Sequence, residues 1–436
     1  MLPTVETMHS EVTLHAGAAA ISRSHSSAAI STLKSHIRHP MQKLESRSDV
    51  IRGFSPAWFI TTMGTGIVSA LLLNFPYHAP PFQYIAWGIA SFNLLLFVAC
   101  CVFFAWRLIR HRDFYSILMH PQQSMLLGAI PMGLCTVTVS LVSILKPYNI
   151  SWMPTLALVL WCIDVVLSVL SFLVIPFLAT SHHKHALETV NATLLLPAVP
   201  TVVAATGGAI VASVHDGSIA TTIVIISYML WGMGFGIAML LTMIYLIRLV
   251  LFKLPPKEAI ASSFIPLGPL GQASYGIQLL GIQAIRLFPT ELPQIAYLGD
   301  VLQSAGFIAG LLIWALAIWW FTHAIYSVLY TRIHGKVPFN LGWWALIFPI
   351  STFTASTNSL WSMTGYSFFR VMASALIVGM LLLWISVMAT TVCYAWTGEL
   401  FKAASIVQLE LQDTVADESD SEDVEECLER PPATTV

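Results

Sequence analysis

Helix-breaking residues stand inside long apolar runs of this chain, where a bilayer penalises them most. They are Gly64-Thr65-Gly66, Pro131, Pro197 with Pro200, Pro266 with Pro269, and Pro349. A break in a membrane helix frees backbone amides and carbonyls, and it is tolerated only where those groups face protein or a water-filled path. A half-helix N-terminus also presents positive partial charge, enough to hold an anion weakly and let it leave. The richest such stretch is Phe264-Ile-Pro-Leu-Gly-Pro-Leu-Gly-Gln-Ala-Ser-Tyr-Gly276, where Gln272, Ser274 and Tyr275 add hydrogen-bonding groups, and Gln272, Ser274 and Thr65 are candidate donors to an anion in the lumen. In Trp343-Trp344-Ala-Leu-Ile-Phe348-Pro349 an aromatic precedes a break, and Phe348 is a candidate for a dry plug. Small residues and prolines also serve plain helix packing. Breaks repeated in every second run favour a polar passage over packing alone.

Two ionisable residues stand near or within the same runs. Asp164 lies mid-run in Trp161-Cys-Ile-Asp164, where an uncompensated charge costs at least about 2.5–3.5 kcal/mol. It reads as a proton-coupling group or as a structural or inter-subunit partner. Arg370 follows Phe368-Phe369 near one end of the last run and reads either as a snorkelling anchor or as an anion attractor. The cluster His182-His183-Lys184-His185 has too few companions for a metal box and reads as a solvated loop. No nucleotide-binding glycine loop and no catalytic triad or carboxylate pair is discernible. A cofactor, a metal, catalysis and nucleic-acid binding are therefore not expected.

The elements that must position these residues are membrane helices. Of 436 residues, 56% are apolar and 10% charged, a balance foreign to soluble domains. Ten spans are expected near 54–75, 82–109, 124–145, 152–179, 190–213, 219–251, 264–285, 300–330, 343–364 and 368–398. The sixth and eighth runs exceed one span. This gives an all-α polytopic fold with a transport domain at 54–400, between disordered tails at 1–53 and 401–436. The six cysteines have no metal-site spacing. Residues 410–436 carry a net −9 and the rest +7, a weak preference for anionic cargo.

Loops on the side of the termini carry Arg107, Arg110, Arg112, Lys184, Arg248, Lys253, Lys257, Arg332 and Lys336. The other side carries Lys146, Arg286 and Arg370. Nine against three places both termini in the cytoplasm. Successive breaks are 67, 69, 69 and 80 residues apart, about one helical hairpin each, so five similar hairpins are expected.

The motifs resemble a known family. Phe54-Ser-Pro-Ala-Trp-Phe59 followed by Met63-Gly-Thr-Gly-Ile67 is similar to the first span of the tellurite-resistance/dicarboxylate transporter family. That family holds a bacterial tellurite-resistance channel, plant slow anion channels, and fungal malate and sulfite transporters. His120-Pro-Gln-Gln-Ser124, Ile130-Pro-Met-Gly-Leu134, Leu267–Gly276, Phe348-Pro349 and Phe369-Arg370-Val371 look closest to its fungal sulfite efflux pumps. The resemblance implies ten helices in five hairpins, odd-numbered helices kinked around a central pore, and a homotrimer with one pore per subunit. It implies Phe348 as the occluding side chain, packed on Gly64 or Gly66. It also implies export of sulfite or hydrogensulfite through a fungal plasma membrane. The rivals are a proton-coupled malate or other C4-dicarboxylate carrier on the same scaffold and, more remotely, a membrane enzyme or receptor.

Overall fold

The computed structural model describes residues 53–396 apart from 78, 79, 184 and 185, together with 51 and 400. The tails expected at 1–53 and 401–436 thus fall almost wholly outside the described residues. Ten helices of 14 or more residues make up the body among the described residues. They are α1 (Phe59–Leu73), α2 (Pro80–His111), α3 (Ala129–Leu145), α4 (Met153–Ser181), α5 (Val199–Ala212), α6 (Gly217–Phe252), α7 (Leu267–Glu291), α8 (Leu298–Ile333), α9 (Trp344–Thr364) and α10 (Ser367–Trp396).

The helices sort into two rings. Each odd-numbered helix packs on the next, α1 on α3, α3 on α5, α5 on α7, α7 on α9, and α9 back on α1. Each even-numbered helix packs outside, against the odd helix before it and the odd helix after it. Five hairpins therefore close a cylinder, as the spacing of the breaks predicts.

Composition follows position. The even helices have 29–36 residues and are apolar on all sides, with only 22–28% of their most apolar stretches buried. Such helices suit lipid contact. At 36 residues, α6 and α8 reach about 54 Å, well beyond a ~30 Å hydrocarbon core. The odd helices are buried by protein, so they need not be continuously apolar. Indeed α5, α7 and α9 do not meet the length and hydropathy expected of a span, whereas seven other segments do. In α9, Ser351, Thr352, Thr354, Ser356 and Thr357 are all fully buried. Thr354 and Thr357 donate to the Ile350 and Phe353 carbonyls at 2.7 and 2.8 Å, which satisfies the hydroxyls inside the helix.

The breaks take a form the sequence did not specify. Every odd helix is preceded by a short turn of helix. These are Pro56–Trp58, Pro121–Leu126, Ala192–Leu195, Ile260–Phe264 and Leu341–Trp343. Pro131, Pro200 and Pro269 sit at the second or third residue of α3, α5 and α7. There the missing N–H costs nothing, because first-turn amides have no intrahelical partner. Each proline thus starts a helix instead of kinking one. Pro349 does lie within α9, where it has no N–H for the carbonyl four residues back. At Gly64-Thr65-Gly66 the expectation of a break is corrected, since α1 runs unbroken from Phe59 to Leu73. Its glycines act by lacking a side chain. A Cβ on Gly66 would collide with Thr136 of α3 and Asn93 of α2.

Candidate functional site

The inner ring encloses a cavity of about 730 Å³ to which all five odd helices contribute. It opens among the α1–α2, α3–α4, α5–α6 and α9–α10 connections, where Asn74, Lys146, Tyr148, Ser213 and Ser362 line it. Its inner end is lined by Cys135, Val203, Gln272 and Phe348. Pro131, Pro200 and Pro269 lie three or four residues before the first three of these, one turn beneath the floor. The N-termini of α3, α5 and α7, with their positive partial charge, therefore lie about one turn below the floor residues. Below them the ring is closed by apolar packing that includes Phe59, Leu196, Phe264, Leu267, Trp344 and Ile347. Phe348 belongs to both regions, lining the cavity while 2% exposed. Trp344, one turn before it, is locked by an Nε1–H bond of 2.9 Å to Thr391 Oγ1 on α10.

The walls are more apolar than polar and almost uncharged. Thr136, Thr206, Gln272, Gln283, Asn358 and Ser359 contribute hydroxyls and amides, interleaved with Val139, Ile210 and Leu279. On α7 the lining residues Gln272, Tyr275, Leu279 and Gln283 follow helical spacing. Among the described residues Lys146 is the one charged side chain of the lining, and no carboxylate faces it. Its Nζ donates to Ser213 Oγ at 3.0 Å.

Of the residues singled out from the sequence, Phe348, Gln272, Tyr275 and Gly66 meet at this cavity. Pro131, Pro200, Pro269, Pro349 and Gly64 support it without lining it. Two assignments to the lumen are corrected. Thr65 turns outward, donating to Thr61 O at 2.7 Å and accepting from Trp384 Nε1 at 3.2 Å. Ser274 faces α8 and α9, donating to Gly310 O at 2.6 Å beside Ser356 Oγ, also at 2.6 Å. Both follow from the ~100° turn per residue, which cannot aim Thr65 with Gly66, or Ser274 with Gln272, into one lumen. The atoms nearest a Cβ on Gly64 belong to Trp344 and Ile347, and those on Gly66 to Thr136 and Asn93.

Asp164 is 1% exposed and points inward, not to a neighbouring subunit. Ser168 Oγ reaches Oδ1 at 3.5 Å, the Cys135 thiol faces the same carboxyl, and Oδ2 has no partner among the described residues. Arg370 stands at the mouth. Its guanidinium lies 4.1 Å over the Tyr77 ring and 5.6 Å from that of Trp361, a lining residue. The sequence reading passed over Lys146, counting it only as a loop charge. The signal that was present is its place one residue after the last turn of an odd run.

A closed helix ring around an almost uncharged, partly polar cavity defines a multi-pass membrane channel or carrier for small solutes. The chain belongs to the voltage-dependent anion channel family, whose model matches residues 53–392, and the resemblance read from its motifs is borne out. A sulfite efflux pump of Arthroderma benhamiae is 35% identical over 371 residues, covering 84% of this chain and 98% of that protein. One of Candida albicans is 30% identical over 338 residues, covering 72% and 67%. The malic acid transport protein of Schizosaccharomyces pombe is 24% identical over 366 residues, covering 81% and 80%. By name these relatives are transporters.

Proposed function

We propose that this protein exports sulfite or hydrogensulfite across the plasma membrane, through the inner ring and past a gate formed by Phe348. The observation that carries the reading is where its cations gather. The positive-inside count leaves only Lys146, Arg286 and Arg370 on the outer side, and all three adjoin the cavity mouth. Lys146 lines it, Arg286 holds the lining residue Gln283 at 2.9 Å, and Arg370 flanks the lining residue Trp361. With Arg286 paired to Asp216, Lys146 and Arg370 still leave the mouth basic, and with no carboxylate in the lining among the described residues it suits an anion leaving a cytoplasm where both termini lie. The names of the relatives at 30–35% identity supply the choice of sulfite.

An interior-negative potential drives an anion outward by about 2.3 kcal/mol per charge per 100 mV, so a gated path suffices. Gln272 replaces part of the hydration shell, and the helix N-termini below it offset part of the remaining charge. Phe348 closes the floor by excluding water, and its displacement opens the path. Such export would protect the cell from sulfite and release a reductant outside. The lipid-facing even helices suit a homotrimer with one pore per subunit. The second reading, a proton-coupled dicarboxylate carrier, rests on the malic acid transport protein and on buried Asp164.

Reconstitution in liposomes, comparing sulfite, malate, chloride and nitrate flux, separates the readings. Sulfite flux that follows the membrane potential and needs no proton gradient supports export. Malate flux that rises with a proton gradient and disappears in Asp164→Asn supports the carrier instead.

A further inference from the structure

We infer that the mouth of the cavity holds its own oxyanion subsite, formed by the Lys146 ammonium and the Gln283 carboxamide and separate from the Phe348 floor. The inference rests on the anion-export reading and specifies a binding step within it. Both side chains line the cavity. Lys146 has a neutral partner, because Ser213 Oγ donates to Ile210 O at 2.7 Å and accepts from Nζ at 3.0 Å. An ammonium has three donors, and this leaves the others for a ligand.

Gln283 is aimed by Arg286. The Arg286 Nε–H donates to Gln283 Oε1 at 2.9 Å, which occupies the acceptor end of the amide. In this geometry the Gln283 NH₂ is the end left to the cavity, so the side chain presents donors only. Arg286 itself has little to give a ligand. Its Nη1 binds Asp216 Oδ1 at 2.9 Å, and its Nη2 binds the Ala212 and His215 carbonyls at 2.7 and 3.2 Å. Arg286 is therefore a positioning residue that ties the α5–α6 connection to α7 and orients Gln283. An ammonium and an amide NH₂ facing one cavity, with no acceptor charge among the lining, fit a small oxyanion such as sulfite. At this position such a subsite takes up the departing ion before it reaches bulk solvent.

Planar-bilayer currents test this, with sulfite applied to one face at a time. Lys146→Gln is expected to raise the half-saturating sulfite concentration at the mouth about tenfold, equivalent to about 1.4 kcal/mol, and to leave the opposite face unchanged. Gln283→Leu and Arg286→Gln should shift the same face in the same direction by smaller factors, while Lys146→Arg stays near the parent value. Sulfate at the mouth should compete in the parent protein and lose potency in Lys146→Gln. Equal shifts at both faces, or none in a Lys146→Gln protein that still conducts, would overturn the subsite and leave the export reading standing. A parent protein that conducts no anion at all would overturn both.

Discussion

The upper and lower halves of the inner ring are built from the same five helices and differ in almost everything else. Above the floor, Gln272, Gln283, Thr136 and Asn358 leave hydrogen-bonding groups around open space. Beneath it, Phe264, Leu267, Trp344 and Ile347 close the ring with little or no exposure. The lesson is that a passage of this kind need not be polar throughout. On the proposed reading, the open half brings the ion to Phe348, and the closed half withholds passage until that side chain moves.

The largest expected effect comes from joining the two halves. Phe348→Ala should raise sulfite conductance at least tenfold, while costing about 3–5 kcal/mol of stability through the cavity left behind. Conductance and thermal unfolding of the same preparation read both. Next comes Gly66→Ala, which forces a methyl group against Thr136 and Asn93. It should destabilise by about 1–3 kcal/mol, measured as a lower Tm, because the α1–α3 contact cannot give way without shifting the ring. Gln272→Leu should reduce sulfite flux several-fold with little change in Tm, since the residue lines the floor on one side only.

The smallest effect lies outside the membrane helices. His120 Nδ1 accepts from the Gln122 and Gln123 amides at 3.1 and 3.2 Å, capping the short helix Pro121–Leu126 beneath α3. Burial pushes its pKa below the usual histidine value, its backbone hydrogen bond offsets part of that shift, and the nearby His183 adds a smaller downward push. The neutral ring is thus favoured in the folded state. Its stabilisation is complete above the unfolded value near 6.5 and is lost as pH falls through the lower folded value. The loss should be about 1 kcal/mol, as for other caps. Melting temperatures against pH should show it in the parent protein and not in His120→Asn, which keeps an acceptor but does not titrate.

Much of this was legible in the sequence because lipid and protein impose different compositions. Runs such as Met153–Ser181 are apolar all round since they face lipid, and runs such as Leu267–Glu291 carry Gln and Gly since they do not. The alternation alone gives two rings. Direction around each helix was less accessible. Thr65 and Ser274 were assigned to the lumen on residue type, yet each turns to a neighbouring helix. The spacing of Gln272, Tyr275, Leu279 and Gln283 held the better clue. Lys146 is hard to single out because its importance lies in what surrounds it, a cavity without carboxylates among the described residues, and no single residue announces that.

The most direct test is the reversal potential of Phe348→Ala channels under a sulfite gradient with an inert cation. An open ring of this composition should reverse near the sulfite equilibrium potential, at currents far above those of the parent. A current unchanged from the parent in folded protein, or a reversal potential set by the cation, would contradict an anion passage closed by Phe348.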